Sequence, residues 1–246
     1  MTHVSSSATS LESSQARSAP AGPNTPAFWE RLWRLSGLNF ILFFVAAAIT
    51  FGYPPHVGAS ADELLAFYTA DRTRILIASV LAGLAVLNLL WFAAALRTDL
   101  AESGQEGWGG AATAASAAVG AVCILLITMA AALAYSIAPG GNHALAPGLH
   151  DLTWAGVVMS SFPRAMLIMS GSFGLWRARR ISNGQFGAGV AAVVLVLAGG
   201  TTWSSAGFWA PDGPYSQFVS PIIGMLWIVA VTRVLLARGP GQRQAW

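Results

Sequence analysis

The sequence contains no lysine, and all thirteen of its basic residues are arginines. A chain without lysine cannot form a Schiff base with retinal or pyridoxal phosphate, and it cannot supply the lysine of a phosphate-binding loop. Cysteine occurs only once, at Cys123, so an internal disulfide is excluded. Because Cys123 lies in an apolar stretch, we interpret it as a small residue of a hydrophobic core.

Charged residues are also scarce. They make up 9% of the chain, against 55% hydrophobic residues and a mean hydropathy of +0.59. This composition is typical of proteins that cross a lipid bilayer as helices. The acidic residues and the four histidines all fall outside the middle of the apolar stretches. A haem between helices would therefore lack ligands, and intramembrane aspartyl proteolysis would lack its acids. We predict no cofactor, and the missing acids count against ion-coupled transport.

Six apolar stretches are each close to the roughly 20 residues that a helix needs to cross a bilayer. They predict an all-α fold, a polytopic transmembrane helix bundle with six spanning helices at 31–52, 75–96, 111–138, 151–176, 185–209 and 215–236. The third stretch is rich in alanine and glycine, which favours close contact between helices. Ahead of the second stretch, Ser60 and Glu63 form the pattern of a capping box and predict a short outer amphipathic helix.

The positions of the arginines predict the orientation. If the amino terminus is cytoplasmic, ten of the thirteen arginines lie inside and two, Arg72 and Arg74, lie outside, which agrees with the positive-inside rule. The chain then divides into a disordered cytoplasmic tail at 1–28, a six-helix transmembrane domain at 29–238 and a cytoplasmic tail at 239–246. Since the arginines flank apolar stretches, we expect the lipid bilayer, and not nucleic acid, as the partner of this basic chain.

One arginine does not flank a stretch. Arg164 lies near the middle of the fourth stretch, about 20 Å along a helix from Asp151. A charge inside the membrane is costly and usually turns toward the bundle interior, so it is the first place to look for function. Pro163 should break the helix beside it. Gly156, Ser160, Ile168 and Ser172 share its face at four-residue intervals, which places small and polar groups beside the arginine.

The depth of each residue below the outer membrane boundary, counted along the predicted helices, predicts which residues lie near Arg164. Asn88, Thr201 and Thr202 fall at a similar height, and together with Ser160 and Arg164 they are the candidate ligand-binding residues. Two interpretations remain open. Arg164 either bonds freed carbonyls, Asn88 and threonine hydroxyls to lock three helices together, or holds the anionic head of a lipid or a small acid with a guanidinium that no acid neutralises.

The histidines offer a further possibility at the outer face. His143, His150 and Asp151 in the third connection, with His56, could meet as a zinc or copper site. Their spacing matches no established pattern, and a loop rich in glycine and proline is typical of histidines that face water. We therefore predict no metal site.

Two passages, AFYTADRTRILIASVLAGLAVLNLLWFAAALR and HDLTWAGVVMSSFPRAMLIMSGSFGLWR, resemble uncharacterised six-helix integral membrane proteins, of the domain-of-unknown-function type, from high-GC Gram-positive bacteria. The resemblance covers about residues 62–180. It implies a multi-pass protein of the bacterial plasma membrane without an assigned reaction. No catalytic or binding residue can be carried over from it.

The leading functional hypothesis is a non-catalytic protein that binds an amphiphilic or anionic ligand within its bundle, or that joins a partner membrane subunit in a larger assembly. One alternative is a membrane-embedded enzyme acting on a lipid or isoprenoid, in which Arg164 holds the acidic head beside the hydroxyls of Thr201, Thr202, Ser204 and Ser205. The lack of a buried general acid or base counts against it. The other alternative is a channel or carrier, with breaks at Pro163 and at the Gly199-Gly200 pair.

Overall fold

The computed structural model describes residues 33–237, and within this range the chain is helical and contains no strand. The predicted tails at 1–28 and 239–246 lie outside the described residues. The helices are α1 (Ser36–Phe51), α2 (Ala61–Ala70), α3 (Arg72–Glu102), α4 (Glu106–Ala132), α5 (Ala146–Met159), α6 (Ser161–Arg177), α7 (Asn183–Ala198) and α8 (Ser220–Leu236). A π-helical turn, Leu133–Ile137, continues α4; a 3₁₀ turn, Gly199–Thr201, continues α7; and a π-helical turn, Tyr215–Val219, leads into α8.

Five helical segments are long and apolar enough to cross a membrane: Arg72–Glu102, Glu106–Ile137, Ala146–Arg177, Asn183–Thr201 and Tyr215–Leu236. Helix α1 is apolar but shorter, with 16 residues. Large apolar side chains stand on the outside of the bundle, where Ile49 is 76% exposed, Val80 66% and Leu226 64%. Such a surface is a liability in water and normal against lipid. The chain is thus an all-helical bundle with several helices suited to a membrane, as the sequence predicts.

The long helices form a ring. Going round it, α1 packs along α3, α3 along α4, α4 along α6, α6 along α7 and α7 along α8, and lighter contacts between α8 and α1 close the circle. Neighbours run antiparallel: Gly109 and Gly120 of α4 lie beside Arg97 and Val86 of α3, respectively. The apolar core fills the centre with side chains from α3, α4, α6, α7 and α8, among them Phe92, Val119, Ile168, Val196 and Ile228.

Helix α2 lies across one end of this ring, which we call the α2 end; the opposite end, where Arg180 lies, is the Arg180 end. The Ser60 side chain accepts a hydrogen bond from the backbone N–H of Glu63 at 3.3 Å, one of the two bonds of the predicted capping box. Leu64 and Tyr68 are buried against the π-helical turn that continues α4 and against the start of α5. The apolar face of α2 therefore packs on protein and covers the ends of other helices.

The predicted end of the fifth stretch, at Trp209, is wrong, because the helix stops at Thr201. The chain turns back there, and two indole N–H groups close the helix end. Trp203 donates to the carbonyl of Gly200 at 3.2 Å, and Trp209 donates to the carbonyl of Thr201 at 2.9 Å. The carbonyls at a helix end need such donors. Hydropathy alone counts these tryptophans as a continuation of the apolar stretch.

Helix α3 also departs from the prediction, since it runs past residue 96 to Glu102. This extension buries a carboxylate at the Arg180 end. Asp99 is 7% exposed, and its Oδ2 lies 3.9 Å from Nε of Arg180, whose Nη2 donates to the hydroxyl of Ser103 at 2.8 Å. The guanidinium of Arg180 therefore lies beside a carboxylate as well as a hydroxyl.

Candidate functional site

The site around Arg164 begins at a break in the long helical segment 146–177. Helix α5 ends at Met159 and α6 begins at Ser161, with Ser160 as the junction. Pro163 has no backbone N–H and so cannot complete the helical hydrogen bond to the carbonyl of Met159. The predicted break is present, and the carbonyl of Ser160 and the hydroxyl of Ser161 lie close to Arg164.

The guanidinium of Arg164 is bonded to neutral groups. Its Nε donates to the carbonyl of Ser160 at 3.2 Å, and its Nη2 donates to the hydroxyl of Ser161 at 3.0 Å. No carboxylate in residues 33–237 forms an ion pair with it. An arginine has more N–H donors than these two bonds use. The side chain is therefore positioned by its own helix and retains the capacity to bind an anion.

Arg164 faces a cavity of about 270 Å³ inside the ring, which we call the Arg164 cavity. Three side chains with polar character line it besides Arg164: Ser160, Cys123 and Trp227. The indole N–H of Trp227 is already used, because it donates to the hydroxyl of Ser172 at 2.9 Å. The remaining wall is apolar and comes from α1, α3, α4, α5, α6 and α8, for example Phe40, Phe44, Leu89, Val119, Val157, Ile168 and Ile228.

The face of α5 and α6 that carries Arg164 points into the bundle, as its four-residue pattern predicts. Ser160 and Ile168 line the Arg164 cavity, and Ser172 is 2% exposed. At Gly156 an added Cβ would lie 2.5 Å from the Cδ2 of Leu126 of α4, so any larger residue would require the Leu126 side chain to move. The helical face from Gly156 to Ser172 is thus closely packed at both ends and carries one cation, Arg164, in the middle.

Of the five predicted ligand-binding residues, the structure brings together Arg164 and Ser160. Asn88 instead donates to the carbonyl of Leu84 in its own helix at 2.9 Å, and Thr201 bonds the carbonyl of Ala198 at 2.8 Å. Thr202 is buried, bonding the carbonyl of Gly199 at 2.8 Å and the hydroxyl of Ser216 at 2.9 Å. These three residues do not line the Arg164 cavity. None of the three hydrogen-bonds Arg164, whose partners among the described residues are Ser160 and Ser161, so the interpretation in which they lock helices together through Arg164 lacks those bonds.

Sequence reasoning missed Ser161, which binds the guanidinium directly. Its position three residues before Arg164 places it on the same helical face, so the i, i+3 relation could have identified it. Near it, the hydroxyl of Ser220 is buried and has no hydrogen-bond partner among the described residues. Gly199 separates the two, since an added Cβ there would lie 2.9 Å from Ser161 Oγ and 3.1 Å from Ser220 Oγ.

A second cavity, of about 550 Å³, lies between the Arg164 cavity and the α2 end, and we call it the His150 cavity. His150 is 1% exposed and bonds Tyr68 Oη through Nδ1 and the carbonyl of Pro55 through Nε2, both at 3.0 Å. A carbonyl only accepts, so Nε2 carries the proton and Nδ1 accepts from the tyrosine. Burial raises the pKa of Tyr68 above its ordinary value, which keeps that hydroxyl protonated.

The residues considered for a metal site serve other contacts. His143 Nδ1 lies 3.3 Å from the carboxylate of Asp62, His150 is held by Tyr68 and Pro55, and Asp151 accepts from the backbone N–H of Gly58 at 3.2 Å. Within residues 33–237 no three histidine, cysteine or acidic side chains cluster in a way suited to a metal ion. His150 contributes to a buried hydrogen-bond chain that joins α2, α5 and the loop after α1.

No protein-family model matches the chain, and neither a curated protein nor a solved structure is similar to it. The geometry of Arg164 and the two cavities is therefore what bears on function.

Proposed function

We propose that this protein is a multi-pass protein of a bacterial plasma membrane that binds the anionic group of an amphiphile or small acid through Arg164, without catalysing a reaction. The observation that carries the proposal is a guanidinium inside an apolar bundle whose bonded partners, Ser160 and Ser161, are both neutral. Holding a cation out of water costs several kcal/mol unless an anion compensates it. A carboxylate or phosphate in the Arg164 cavity would provide that compensation with charge-assisted hydrogen bonds.

The proposal includes six spans, with α1 as the first and both termini in the cytoplasm. The described arginines support this orientation because they are unequally divided between the two ends. Arg72 and Arg74 lie near the α2 end, at the start of α3. The larger group lies near the Arg180 end and would be cytoplasmic by the positive-inside rule: Arg34, Arg97, Arg177, Arg179, Arg180 and Arg233.

Binding is favoured over the two alternatives by features of the cavity. An enzyme that used the hydroxyls after α7 would need them near Arg164, yet Thr201 and Thr202 bond carbonyls of their own turn and do not line the cavity. A pore would need a continuous path toward the Arg180 end. Toward that end the rings of Phe92 and Trp227 pack edge to face with centroids 6.1 Å apart, and Leu96 and Leu100 are fully buried.

The first test is the mass that copurifies after gentle detergent extraction, read by native mass spectrometry. We expect the parent protein to carry a small acidic molecule that Arg164→Met loses. Arg164→Lys should recover only part of it, because a lysine lacks the planar pair of donors. Arg233→Met serves as the control, since this exposed arginine of α8 lies outside the cavity. Equal occupancy in the parent and in Arg164→Met would refute the proposal, and a bound second polypeptide would favour an assembly subunit.

The second test uses Cys123, which lines the same cavity and is the only cysteine in the chain. In ligand-stripped protein we compare the rates at which anionic and cationic methanethiosulfonates modify this thiol. Arg164 should favour the anionic reagent, and Arg164→Met should lower the anionic-to-cationic ratio on the order of tenfold. A ratio that is the same in both proteins would mean that Arg164 creates no anion site in the cavity.

A further inference from the structure

The Arg164 cavity and the His150 cavity are separated by one layer of side chains. Phe44 of α1, Val157 of α5 and Pro221 of α8 line both of them. Val157 and Pro221 lie on packed helices, whereas the ring of Phe44 can turn about its side-chain bonds. An elongated molecule in one cavity can therefore extend into the other by moving a single aromatic ring.

The His150 cavity has a wall that suits hydrocarbon. No aspartate, glutamate or arginine among the described residues lines it. Several of its polar groups are already bonded within the protein: the Tyr68 hydroxyl to His150, Thr153 to the carbonyl of Leu149 at 2.8 Å, and Ser216 to Thr202 at 2.9 Å. Phe51, Tyr53 and other large side chains supply most of the remaining surface. An alkyl chain could occupy this space without leaving a charge unpaired.

From Arg164, cavity space continues toward the α2 end of the bundle. Toward the Arg180 end the core is packed with apolar side chains: the rings of Phe92 and Trp227 meet edge to face, and Leu96 and Leu100 are fully buried. Toward the α2 end the second cavity begins beyond Phe44. Arg164 therefore lies at one end of this path, and no aspartate, glutamate or other arginine among the described residues lines the rest of it.

We infer that the ligand is a single-chain amphiphile whose carboxylate or phosphate binds Arg164 and whose hydrocarbon chain runs past Phe44 into the His150 cavity. This inference rests on the proposed function, since Arg164 supplies the anion site. A short acid would leave the larger cavity unused, whereas one chain can pass between Phe44, Val157 and Pro221, the residues that line both cavities. The shared chemistry is an anionic head on one long apolar chain.

The test compares the binding of octanoate, palmitate and hexadecyl phosphate to ligand-stripped protein. The parent should bind palmitate at least about tenfold more tightly than octanoate, because each additional buried methylene group strengthens binding. Ala48→Trp should abolish this preference and leave octanoate binding intact, because Ala48 lines the His150 cavity and does not line the Arg164 cavity. Val194→Trp is the matched control, because Val194 is 60% exposed on the outside of α7. The ratio of palmitate to hexadecyl phosphate affinity distinguishes a carboxylate from a phosphate site.

The outcomes separate this inference from the proposed function. Equal affinities for octanoate and palmitate in the parent, with both lost in Arg164→Met, would overturn the single-chain inference and leave the anion site standing. Binding that Arg164→Met does not weaken would overturn both.

A measurement on the unmutated protein applies if Ala48→Trp does not fold. Palmitate with a diazirine on its terminal carbon should label residues of the His150 cavity such as Phe51 and Trp154. A diazirine next to the carboxylate should instead label residues of the Arg164 cavity such as Cys123 and Met225. Terminal labelling within the Arg164 cavity, or labels confined to lipid-facing residues such as Leu226, would contradict the arrangement.

Discussion

Arg164 lies on α6 and Arg180 lies just beyond its end, and the surroundings of the two side chains differ. Arg180 is 3.9 Å from the buried carboxylate of Asp99 and donates to Ser103. Among the described residues, the guanidinium of Arg164 bonds only the carbonyl of Ser160 and the hydroxyl of Ser161. Removing an arginine beside a buried acid takes away a compensating charge, whereas removing one without an acid takes away an uncompensated charge. The two positions should therefore respond differently to the same substitution.

We expect Arg164→Met to leave the ligand-free bundle as stable as the parent or more stable, within about 1 to 2 kcal/mol in the free energy of unfolding. Arg180→Met should destabilise it by about 1 to 3 kcal/mol, a range reduced because Arg180 keeps some contact with solvent. Reversible unfolding of the two detergent-solubilised variants, after removal of bound small molecules, provides the comparison. A larger loss for Arg164→Met than for Arg180→Met would identify Arg164 as a structural lock.

At the scale of elements, the end of α7 approaches the break between α5 and α6 through two glycines. An added Cβ at Gly199 would meet Ser161 Oγ at 2.9 Å and Ser220 Oγ at 3.1 Å, and one at Gly200 would meet the ring of Phe162 at 3.2 Å. These contacts place the second helix of the Arg164 site, α6, against α7 and α8. The Gly199-Gly200 pair thus has a packing role that does not require it to act as a hinge.

Gly199→Ala should destabilise the protein by about 1 to 3 kcal/mol, because the new methyl group forces Ser161 or Ser220 to move. Gly187→Ala in the same helix is the matched control. An added Cβ there meets nothing within 4 Å, so alanine should stabilise the helix by about 0.5 to 1 kcal/mol. Thermal unfolding of both variants under identical detergent conditions measures the difference. Similar changes in stability at the two positions would indicate that α7 packs less closely against α6 and α8 than in the structure.

At the scale of the whole molecule, the ring of antiparallel helices places the ends of consecutive segments on alternate sides. Tyr53 follows α1, is 78% exposed and lies near the α2 end. Ala178 follows α6 and lies at the Arg180 end. The proposed orientation puts the α2 end outside the cell. Both positions can be made the sole cysteine of the chain in a Cys123→Ser background.

In intact cells, a membrane-impermeant maleimide should label Tyr53→Cys and should not label Ala178→Cys until the membrane is opened. The reason is that the arginines near the Arg180 end resist translocation. Labelling after permeabilisation confirms that each cysteine is reactive. If Ala178→Cys reacts from outside in intact cells, the orientation is reversed or mixed.

The sequence alone determined the class of this protein. Helices in lipid must satisfy their backbone hydrogen bonds internally and expose apolar side chains, so they can be predicted from composition and from the length of apolar stretches. Two local features were also predicted from the sequence: Ser60 caps α2, and the helix breaks beside Arg164 at Pro163. Helix ends were read less well, because Trp203 and Trp209 belong to the turn that closes α7 and not to the helix itself.

The partners of Arg164 were decided only by the tertiary structure. Counting residues along a helix gives depth in the membrane, and depth grouped Asn88, Thr201 and Thr202 with Arg164. Which residues meet also depends on how each helix is rotated about its axis and where it stands in the ring. Packing of the whole bundle sets both, so Cys123 and Phe44 share the cavity with Arg164, while Asn88 bonds its own helix and Thr202 bonds Ser216.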